Sequence, residues 1–433
     1  MKKTLLLIAT LLASYVGMAQ ETYHPTAENL KAREQFQDDK FGIFLHWGLY
    51  SMMGTTEWIM TNRDINYKEY PKLAKTFYPS EFDADAWVKA IKAAGAKYIT
   101  ITTRHHDGFS LFKTATSTYN SVDGTPFKRD IIKEMADACQ RNGIKLHLYY
   151  SHLDWGREDY PVGRTGTGTG RPKEKADWAS YYKFMNTQLT ELLTNYGKVG
   201  AIWFDGWWDH DSDAKPFDWQ LEEQYAMIHK LQPQCLVANN HHHTPFPGED
   251  IQIFERDLPG ENKAGLSGQS IGRLPLESCQ TINEHWGYNI TDTLYKSPKE
   301  LIQMLVRAAG KNANLLLNIG PEPGGALPAL ALDRLQSLGK WLNQYGETIY
   351  GTRGGIVAPH EWGVSTQRGN KLYIHILNCM DSSLFIPTGN HKIKSATVFG
   401  TNKRVNFTKT GNGITLNLDT IPTEIDYIVE LTL

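Results

Sequence analysis

The sequence predicts an α/β fold in which a (β/α)8-like barrel is followed by a small C-terminal antiparallel β-sandwich. The chain has 433 residues, enough for one large domain and one small one. Over most of its length, short apolar runs alternate with amphipathic helical patterns about seven or eight times, as in barrels of parallel strands covered by helices. Near the C-terminus the pattern changes to period-two runs separated by turn residues, which is typical of antiparallel sheets.

The predicted barrel strands are almost continuously apolar, as expected of parallel strands buried on both faces. They lie at 41–47, 97–103, 144–151, 199–205, 235–240, 250–255 and 314–320. Between them, Asp83 is predicted to cap one helix. Ser297 is predicted to begin another, through a capping box with Glu300 and with Pro298 at the first helical position. The alternation of strand and helix predicts a parallel barrel with its helices outside.

The C-terminal strands are predicted from alternating apolar and polar residues between Gly-, Asn- and Thr-rich turns. They lie at 371–378, 395–400, 413–419 and 427–433. The pattern changes near Tyr350 and Gly351. We therefore predict a barrel domain over 20–350 and a β-sandwich domain over 351–433.

The N-terminus has the pattern of a secretory signal peptide. Lys2 and Lys3 precede an apolar stretch, and Gly17, Met18 and Ala19 resemble a small-residue cleavage site. We therefore predict a signal peptide over residues 1–19 and a mature chain that begins near residue 20. That residue is Gln rather than Cys, so no lipid anchor is expected there, and no later run is long and apolar enough to span a bilayer. The sequence thus predicts an exported protein, periplasmic or secreted, without a membrane anchor.

The charge balance bears on the class of partner. The chain carries 45 basic and 47 acidic residues, for a net charge of −2. Nucleic-acid binding normally requires a basic surface, and the sequence offers no sign of one, so we expect no nucleic-acid partner.

Chemistry-bearing residues follow the predicted strands, at the end where a parallel barrel carries its reactive groups. They are His46, Glu57, His105, His106, Tyr149 or Tyr150, Asp205, Asn239, Asn240 and Glu255, with Glu277 in the next segment. Adjacent histidines on a strand point to opposite faces, which disfavours a shared metal ion. Two carboxyl groups at neighbouring strand ends, among His and Trp residues, are the minimum required for glycoside hydrolysis.

Several motifs together give the chain a family resemblance. They are FGIFLHWG (41–48), TTRHHDGF (102–109), LYYSHLDW (148–155), IWFDG (202–206), NLLLNIGP (314–321) and IYGT (349–352). With these motifs the chain resembles the α-L-fucosidases of glycoside hydrolase family 29. The resemblance implies a barrel followed by a β-sandwich. It also implies release of terminal α-linked L-fucose with retention, through a covalent fucosyl-enzyme and without a metal or organic cofactor.

The resemblance also implies roles for individual residues. Asp205 would be the nucleophile, and Glu255 is the preferred acid/base, with Glu277 as its rival. The residues implied to bind or line the sugar site are His46, Glu57, His105, His106, Tyr149, Trp203 and Trp286, the last near the C6 methyl group. The family's usual Asn-Asp-Arg after the fifth strand is Asn239-Asn240-His241 here, which leaves open which of these contacts the sugar.

The sequence therefore predicts an exo-acting retaining α-L-fucosidase that acts on fucosylated oligosaccharides or glycans. One alternative is a retaining barrel glycosidase of another specificity, such as an α-galactosidase-like enzyme. A metal-dependent barrel hydrolase is another. A third is a non-catalytic sugar-binding protein, against which the presence of Asp205 counts. Linkage preference, aglycone, oligomeric state and the role of the sandwich stay open at this point.

Overall fold

The computed structural model of the protein describes residues 23–401 and 403–433. The predicted signal peptide, residues 1–19, and the predicted mature N-terminus near Gln20 lie outside these residues. None of the described helices combines the length and the apolar composition needed to cross a bilayer.

Eight parallel strands form the barrel predicted from the sequence. They are β1 (Phe41–Leu45), β2 (Tyr98–Arg104), β3 (Lys145–Ser151), β4 (Ala201–Asp205), β5 (Leu236–Asn239), β6 (Gln252–Glu255), β7 (Leu276–Thr281) and β8 (Ala313–Ile319). Their order in the sheet is β5-β4-β3-β2-β1-β8-β7-β6. The two end strands meet through a single bridge between Ala238 and Ile251, so the barrel is nearly closed.

Eight α-helices accompany the strands. They are α1 (Ala27–Asp39), α2 (Ile59–Asn62), α3 (Ala84–Ala93), α4 (Ile131–Asn142), α5 (Trp178–Asn195), α6 (Leu221–Leu231), α7 (Pro298–Gly310) and α8 (Ala329–Tyr345). The side chain of Asp83 accepts a hydrogen bond from the backbone of Ala86 at the start of α3. Ser297 and Glu300 form the predicted capping box of α7, with Pro298 at its first position. Both predicted helix starts are therefore confirmed.

The helical layer is incomplete on one side of the barrel. The described connections after β5 and after β6, residues 240–251 and 256–275, contain no helix. Pro245, Pro247 and Gly248 interrupt the first connection, and Pro259 with four glycines interrupts the second, which prevents regular helix formation. The strict strand–helix alternation therefore fails here, and two irregular loops stand beside the C-terminal ends of β5 and β6.

Two antiparallel sheets follow the barrel. One joins β9 (Arg353–Gly354), β10 (Gly363–Arg368), β11 (Lys371–Ile376), β13 (Ser395–Val398) and β16 (Tyr427–Thr432), and the other joins β12 (Ser383–Ile386), β14 (Asn406–Thr410) and β15 (Gly413–Asn417). A separate apolar core that includes Ile374, Ile414 and Leu431 lies between them. The proposed domain boundary at 350–351 falls in the connection between α8 and β9.

Candidate active site

A cavity of about 180 Å³ lies at the C-terminal ends of the barrel strands. The predicted nucleophile, the preferred acid/base and all of the implied sugar-site residues line it, whereas Glu277 and Asn239 do not. The lining residues are Phe44, His46, Glu57, Trp58, His105, His106, Tyr149, Arg164, Trp203, Asp205, Trp208, Asn240, His242, Glu255, Leu266, Cys279 and Trp286. A larger cavity of about 580 Å³ lies at the opposite end, between α1 and the starts of β3 and β5, and contains none of the predicted site residues.

Asp205 is the last residue of β4, and a network of donors holds its carboxyl group. Oδ1 accepts hydrogen bonds from the backbone N–H of Gly206 at 2.9 Å and from Trp208 Nε1 at 3.1 Å. Oδ2 accepts one from the hydroxyl of Tyr149 at 3.0 Å, and His106 Nε2 lies 3.5 Å from it. Burial and the neighbouring Glu255 raise the pKa of Asp205 to about 6. The Trp208 indole therefore helps to support a buried carboxylate, which would be costly if unpaired.

Glu255 is the last residue of β6 and lines the same cavity. Its Oε2 accepts hydrogen bonds from Asn240 Nδ2 at 2.7 Å and from His242 Nε2 at 3.0 Å. Burial raises the pKa of Glu255, but the hydrogen bonds of His242 and Asn240 outweigh burial, so the pKa lies below its ordinary value. The negative charge of Glu255 disfavours ionisation of Asp205.

Glu277 lies deeper in the barrel, as the second residue of β7, and does not line the cavity. Its carboxyl group is fully buried and accepts hydrogen bonds from the hydroxyl of Tyr98 at 2.7 Å and from Trp203 Nε1 at 2.9 Å. Burial raises the pKa of Glu277 to about 7. Of the two candidate acid/base residues, only Glu255 shares the cavity with Asp205.

Two of the histidines present an unprotonated nitrogen to the cavity. His46 Nδ1 lies 2.6 Å from the Asn318 Oδ1 acceptor, so Nδ1 carries the proton and Nε2 is free to accept. His106 Nδ1 lies 2.7 Å from Ser151 Oγ, whose own proton is donated to the Leu153 carbonyl oxygen, so the same tautomer follows. Burial lowers the pKa of His46 to about 4 and that of His106 well below its ordinary value. Both rings are therefore neutral near pH 7, and Nε2 of each can accept a hydrogen bond.

The remaining predicted residues form the walls of the cavity. Glu57 is anchored through Oε2, which accepts from the Thr56 hydroxyl at 3.1 Å and from the Gly287 backbone at 2.9 Å. The rings of His105 and Tyr149 stack at 5.3 Å. Phe44 lies 5.1 Å from Trp203 and 6.2 Å from Trp286, ring centre to ring centre, which gives one side of the cavity an apolar surface.

The choice between Tyr149 and Tyr150 follows from strand geometry. Neighbouring residues on a strand face opposite sides. Tyr149 lines the cavity, whereas the hydroxyl of Tyr150 donates to Gln188 on α5 at 2.7 Å. Tyr150 therefore packs between the barrel and its helices.

Sequence reasoning missed Arg164, which comes from a glycine-rich stretch at 163–170. The backbone N–H of Arg164 donates to the Asp209 carbonyl oxygen at 2.9 Å, and that of Thr165 donates to Asp209 Oδ1 at 2.9 Å. These bonds bring the Arg164 guanidinium to within 5.2 Å of the centre of the Trp208 ring. Trp58 stacks on Trp208 at 5.5 Å. A long loop gives no periodic pattern that would place Arg164.

Within the described residues, one group of three side chains of metal-binding type lies close together. It consists of Glu284, His285 and Asp292 and lies outside the cavity. Asp292 Oδ2 accepts hydrogen bonds from the backbone N–H groups of Glu284 and His285, which accounts for the closeness of the group as loop structure.

Comparisons with known proteins identify the family of the chain. The family model described as alpha-L-fucosidase matches residues 10–347. The plasma alpha-L-fucosidase of Rattus norvegicus is 30% identical over 406 residues, which cover 85% of this chain and 82% of the relative. The crystal structure of alpha-L-fucosidase isoenzyme 1 from Paenibacillus thiaminolyticus superposes with a TM-score of 0.81 at 35% identity, covering 94% of this chain and 99% of the other.

A further solved structure bears on the chemistry of the relatives. It is a family 29 alpha-L-fucosidase from Bacteroides thetaiotaomicron, described as a covalent intermediate trapped with 2-fluoro-fucosyl fluoride in a variant enzyme. This chain is 27% identical to it with a TM-score of 0.81, over 95% of this chain and 97% of that one. The family model, the relatives and the barrel together show that the chain belongs to the α-L-fucosidase family, glycoside hydrolase family 29.

Proposed function

We propose that the protein is an exo-acting, retaining α-L-fucosidase with Asp205 as nucleophile and Glu255 as acid/base. The observation that carries the proposal is the placement of these two carboxyl groups, each at the end of a strand, in one small cavity. Retaining glycosidases use such a pair on either side of the scissile bond.

The proposed reaction has two steps. In the first, Glu255 gives a proton to the glycosidic oxygen while a carboxylate oxygen of Asp205 attacks the anomeric carbon and the aglycone leaves. In the second, Glu255 takes a proton from water, the water oxygen attacks the anomeric carbon, and the bond to Asp205 breaks. Hydrogen bonds from Gly206, Trp208 and Tyr149 keep the Asp205 carboxylate oriented throughout.

Recognition of the sugar is assigned to the histidines, Glu57 and the aromatic wall. The free Nε2 atoms of His46 and His106 accept hydrogen bonds from sugar hydroxyl groups, and Glu57 accepts further ones, with His105 beside them. Phe44 and Trp286 offer an apolar surface to the C6 methyl group. The cavity, at about 180 Å³, is smaller than the roughly 300–1,000 Å³ of sites for drug-sized ligands, which favours one terminal sugar ring over an internal segment.

The specificity test compares aryl α-L-fucosides with aryl α-L-galactosides, which differ only by a hydroxyl group on C6. An apolar pocket rejects an added hydroxyl by about 10²-fold, so kcat/KM should fall by about that factor. Proton NMR of the first-formed sugar should show the α anomer, because two displacements retain configuration. Equal kcat/KM for both substrates, or a β product, would contradict the proposal, and an aryl α-D-galactoside serves as the control for the α-galactosidase alternative.

Export is the second part of the proposal. Residues 1–19 have the charge and apolar pattern of a cleaved secretory signal, and the substrate would be a fucosylated oligosaccharide or glycan outside the cytoplasm. N-terminal sequencing of the full chain expressed in a Gram-negative host and recovered from its periplasm should begin near Gln20. A chain that stays in the cytoplasm with residues 1–19 attached would contradict export.

A further inference from the structure

In the loop that follows β5, His242 contacts the proposed acid/base, Glu255, and the preceding residue, His241, anchors the loop. His241 is buried, and its Nε2 lies 3.0 Å and 3.1 Å from the two carboxylate oxygens of Glu249. Glu249 in turn accepts hydrogen bonds from the hydroxyl of Tyr225 and the backbone of Phe246. This cluster fixes the base of the loop, so that the next residue, His242, projects into the cavity from a rigid support.

His242 itself has an unusual backbone. Its φ of 64° lies in the left-handed region, which residues other than glycine rarely adopt and which is found where the surrounding structure enforces it. The conformation turns the imidazole toward β6, where Nε2 lies 3.0 Å from Glu255 Oε2. His242 also lines the cavity, with 21% of its side chain exposed. The loop thus holds a strained residue in the position where its ring meets the carboxyl group.

The carboxyl groups of Asp205 and Glu255 differ in which of their oxygens accept hydrogen bonds. At Asp205, donors reach both oxygens. At Glu255, the hydrogen bonds from Asn240 and His242 both reach Oε2. A protonated carboxyl group accepts on its carbonyl oxygen and donates from the other. The donors on Oε2 of Glu255 therefore leave Oε1 as the oxygen that carries the proton whenever this carboxyl group is protonated.

We propose that His242, together with Asn240, is a positioning residue that fixes Oε2 of Glu255 so that Oε1 carries the proton delivered to the leaving oxygen. The inference rests on the proposed role of Glu255. His242 keeps its own Nε2 proton through both steps. When Glu255 transfers its proton to the glycosidic oxygen, the new carboxylate is stabilised by the N–H groups of His242 and Asn240. When water restores that proton, the carboxyl group is already oriented.

The role requires a neutral His242. A cationic imidazole would favour the Glu255 carboxylate and so remove the acid from the first step. The titratable groups that interact with it are Asp205, Glu255 and His243.

The test uses His242→Asn, because asparagine tolerates the left-handed backbone but is too short to reach Glu255. For a fucosyl disaccharide, whose leaving group needs a proton, kcat/KM should fall by about 10-fold, a part of the ~10²–10⁴ that general acid catalysis contributes. The leaving group of 2,4-dinitrophenyl α-L-fucoside departs without a proton, so kcat/KM for this substrate should change by less than about twofold. His242→Gln restores a neutral donor at a similar distance and should recover most of the loss.

The pH profile gives a second readout. His242 lowers the pKa of Glu255, so its removal should raise that pKa and move the alkaline limb of kcat/KM for the disaccharide to higher pH. His243→Asn is the matched control, because the exposed His243 ring lies 5.0 Å from Trp207 and does not line the cavity. It should leave both substrates and the profile unchanged.

The outcomes separate this inference from the proposed function. If Glu255→Ala discriminates between the two substrates and His242→Asn does not, the positioning role is wrong while Glu255 keeps its assignment. If His242→Asn lowers kcat/KM equally for both substrates and leaves the alkaline limb of the pH profile in place, the ring of His242 only packs the loop. If Glu255→Ala itself shows no leaving-group dependence, the acid/base assignment fails and the inference fails with it.

Discussion

Replacement of Asp205 by asparagine is expected to lower the turnover of α-L-fucosides by several orders of magnitude. Asparagine has the same shape, and its amide oxygen can still accept from Gly206 and Trp208. Its amide nitrogen can donate to the hydroxyl of Tyr149, so the network survives with one bond reversed. The variant should therefore fold normally. It lacks a nucleophile, and without one the covalent route through a glycosyl-enzyme is lost.

The measurement is turnover of an aryl α-L-fucoside with and without azide. Because asparagine fills the place of the aspartate, azide rescue is measured in Asp205→Gly, where azide can enter the space left by the side chain and the product would be a fucosyl azide of inverted configuration. Asp213→Asn makes the same chemical change as Asp205→Asn on a neighbouring carboxylate that pairs with His210 outside the cavity, and it should keep normal turnover. Retention of about a tenth of the parent activity by Asp205→Asn would exclude it as the nucleophile.

The fold and the centre of the site could be predicted for one physical reason. Parallel strands in a barrel end on the same face, so residues far apart in sequence, such as His46, Asp205 and Glu255, converge once the strands are placed. The apolar runs marked seven of the eight strands, and β7 was missed because its sequence, LESCQT, is largely polar. The strand ends also predicted most of the residues that face the cavity. Alternation along β3 required Tyr149 and Tyr150 to face opposite sides, and the structure shows that Tyr149 is the one in the cavity.

The parts that escaped prediction lie in irregular structure or depend on single positions. Glu255 and Glu277 each stand in a short strand, and only the exact bounds of β6 and β7 separate a strand-end residue from an interior one. Arg164 reaches the cavity from a long loop, and His242 through a left-handed backbone. Neither position follows from hydrophobic periodicity, because tertiary contacts with Asp209 and Glu249 hold these loops in place.

The second large effect is expected for Glu255→Ala. A general acid matters most when the leaving group is poor, because a good leaving group departs without a proton. Glu255→Ala should therefore lower kcat/KM for a fucosyl disaccharide by about 10²–10⁴-fold, and for 2,4-dinitrophenyl α-L-fucoside far less. With the aryl substrate, azide should restore turnover by attacking the fucosyl-enzyme, and the fucosyl azide should have retained configuration because two displacements have occurred.

Glu277→Gln is the matched comparison, and its main effect should be on stability. The amide imitates a protonated carboxyl group, and both the Tyr98 hydroxyl and the Trp203 N–H can still find partners. In the folded parent, burial raises the pKa of Glu277 to about 7, whereas the unfolded chain ionises near the ordinary value of 4.5. The folded state thus binds the proton more tightly. The parent should lose up to about 3 kcal/mol of stability as pH rises through this window, and the variant should not.

Thermal unfolding of parent and variant at about pH 5 and about pH 8 measures this difference in stability. Glu277→Gln should be more stable than the parent only at the higher pH. The same variant should show neither leaving-group dependence nor azide rescue, because a carboxyl group that bonds Tyr98 and Trp203 inside the barrel does not reach the glycosidic oxygen. If Glu277→Gln alone gave azide rescue with retention, the barrel would have to rearrange on substrate binding to bring Glu277 to the cavity. Glu255 would then be a wall residue, and the hydrogen bonds from Asn240 and His242 would orient it toward the sugar instead of toward the leaving group.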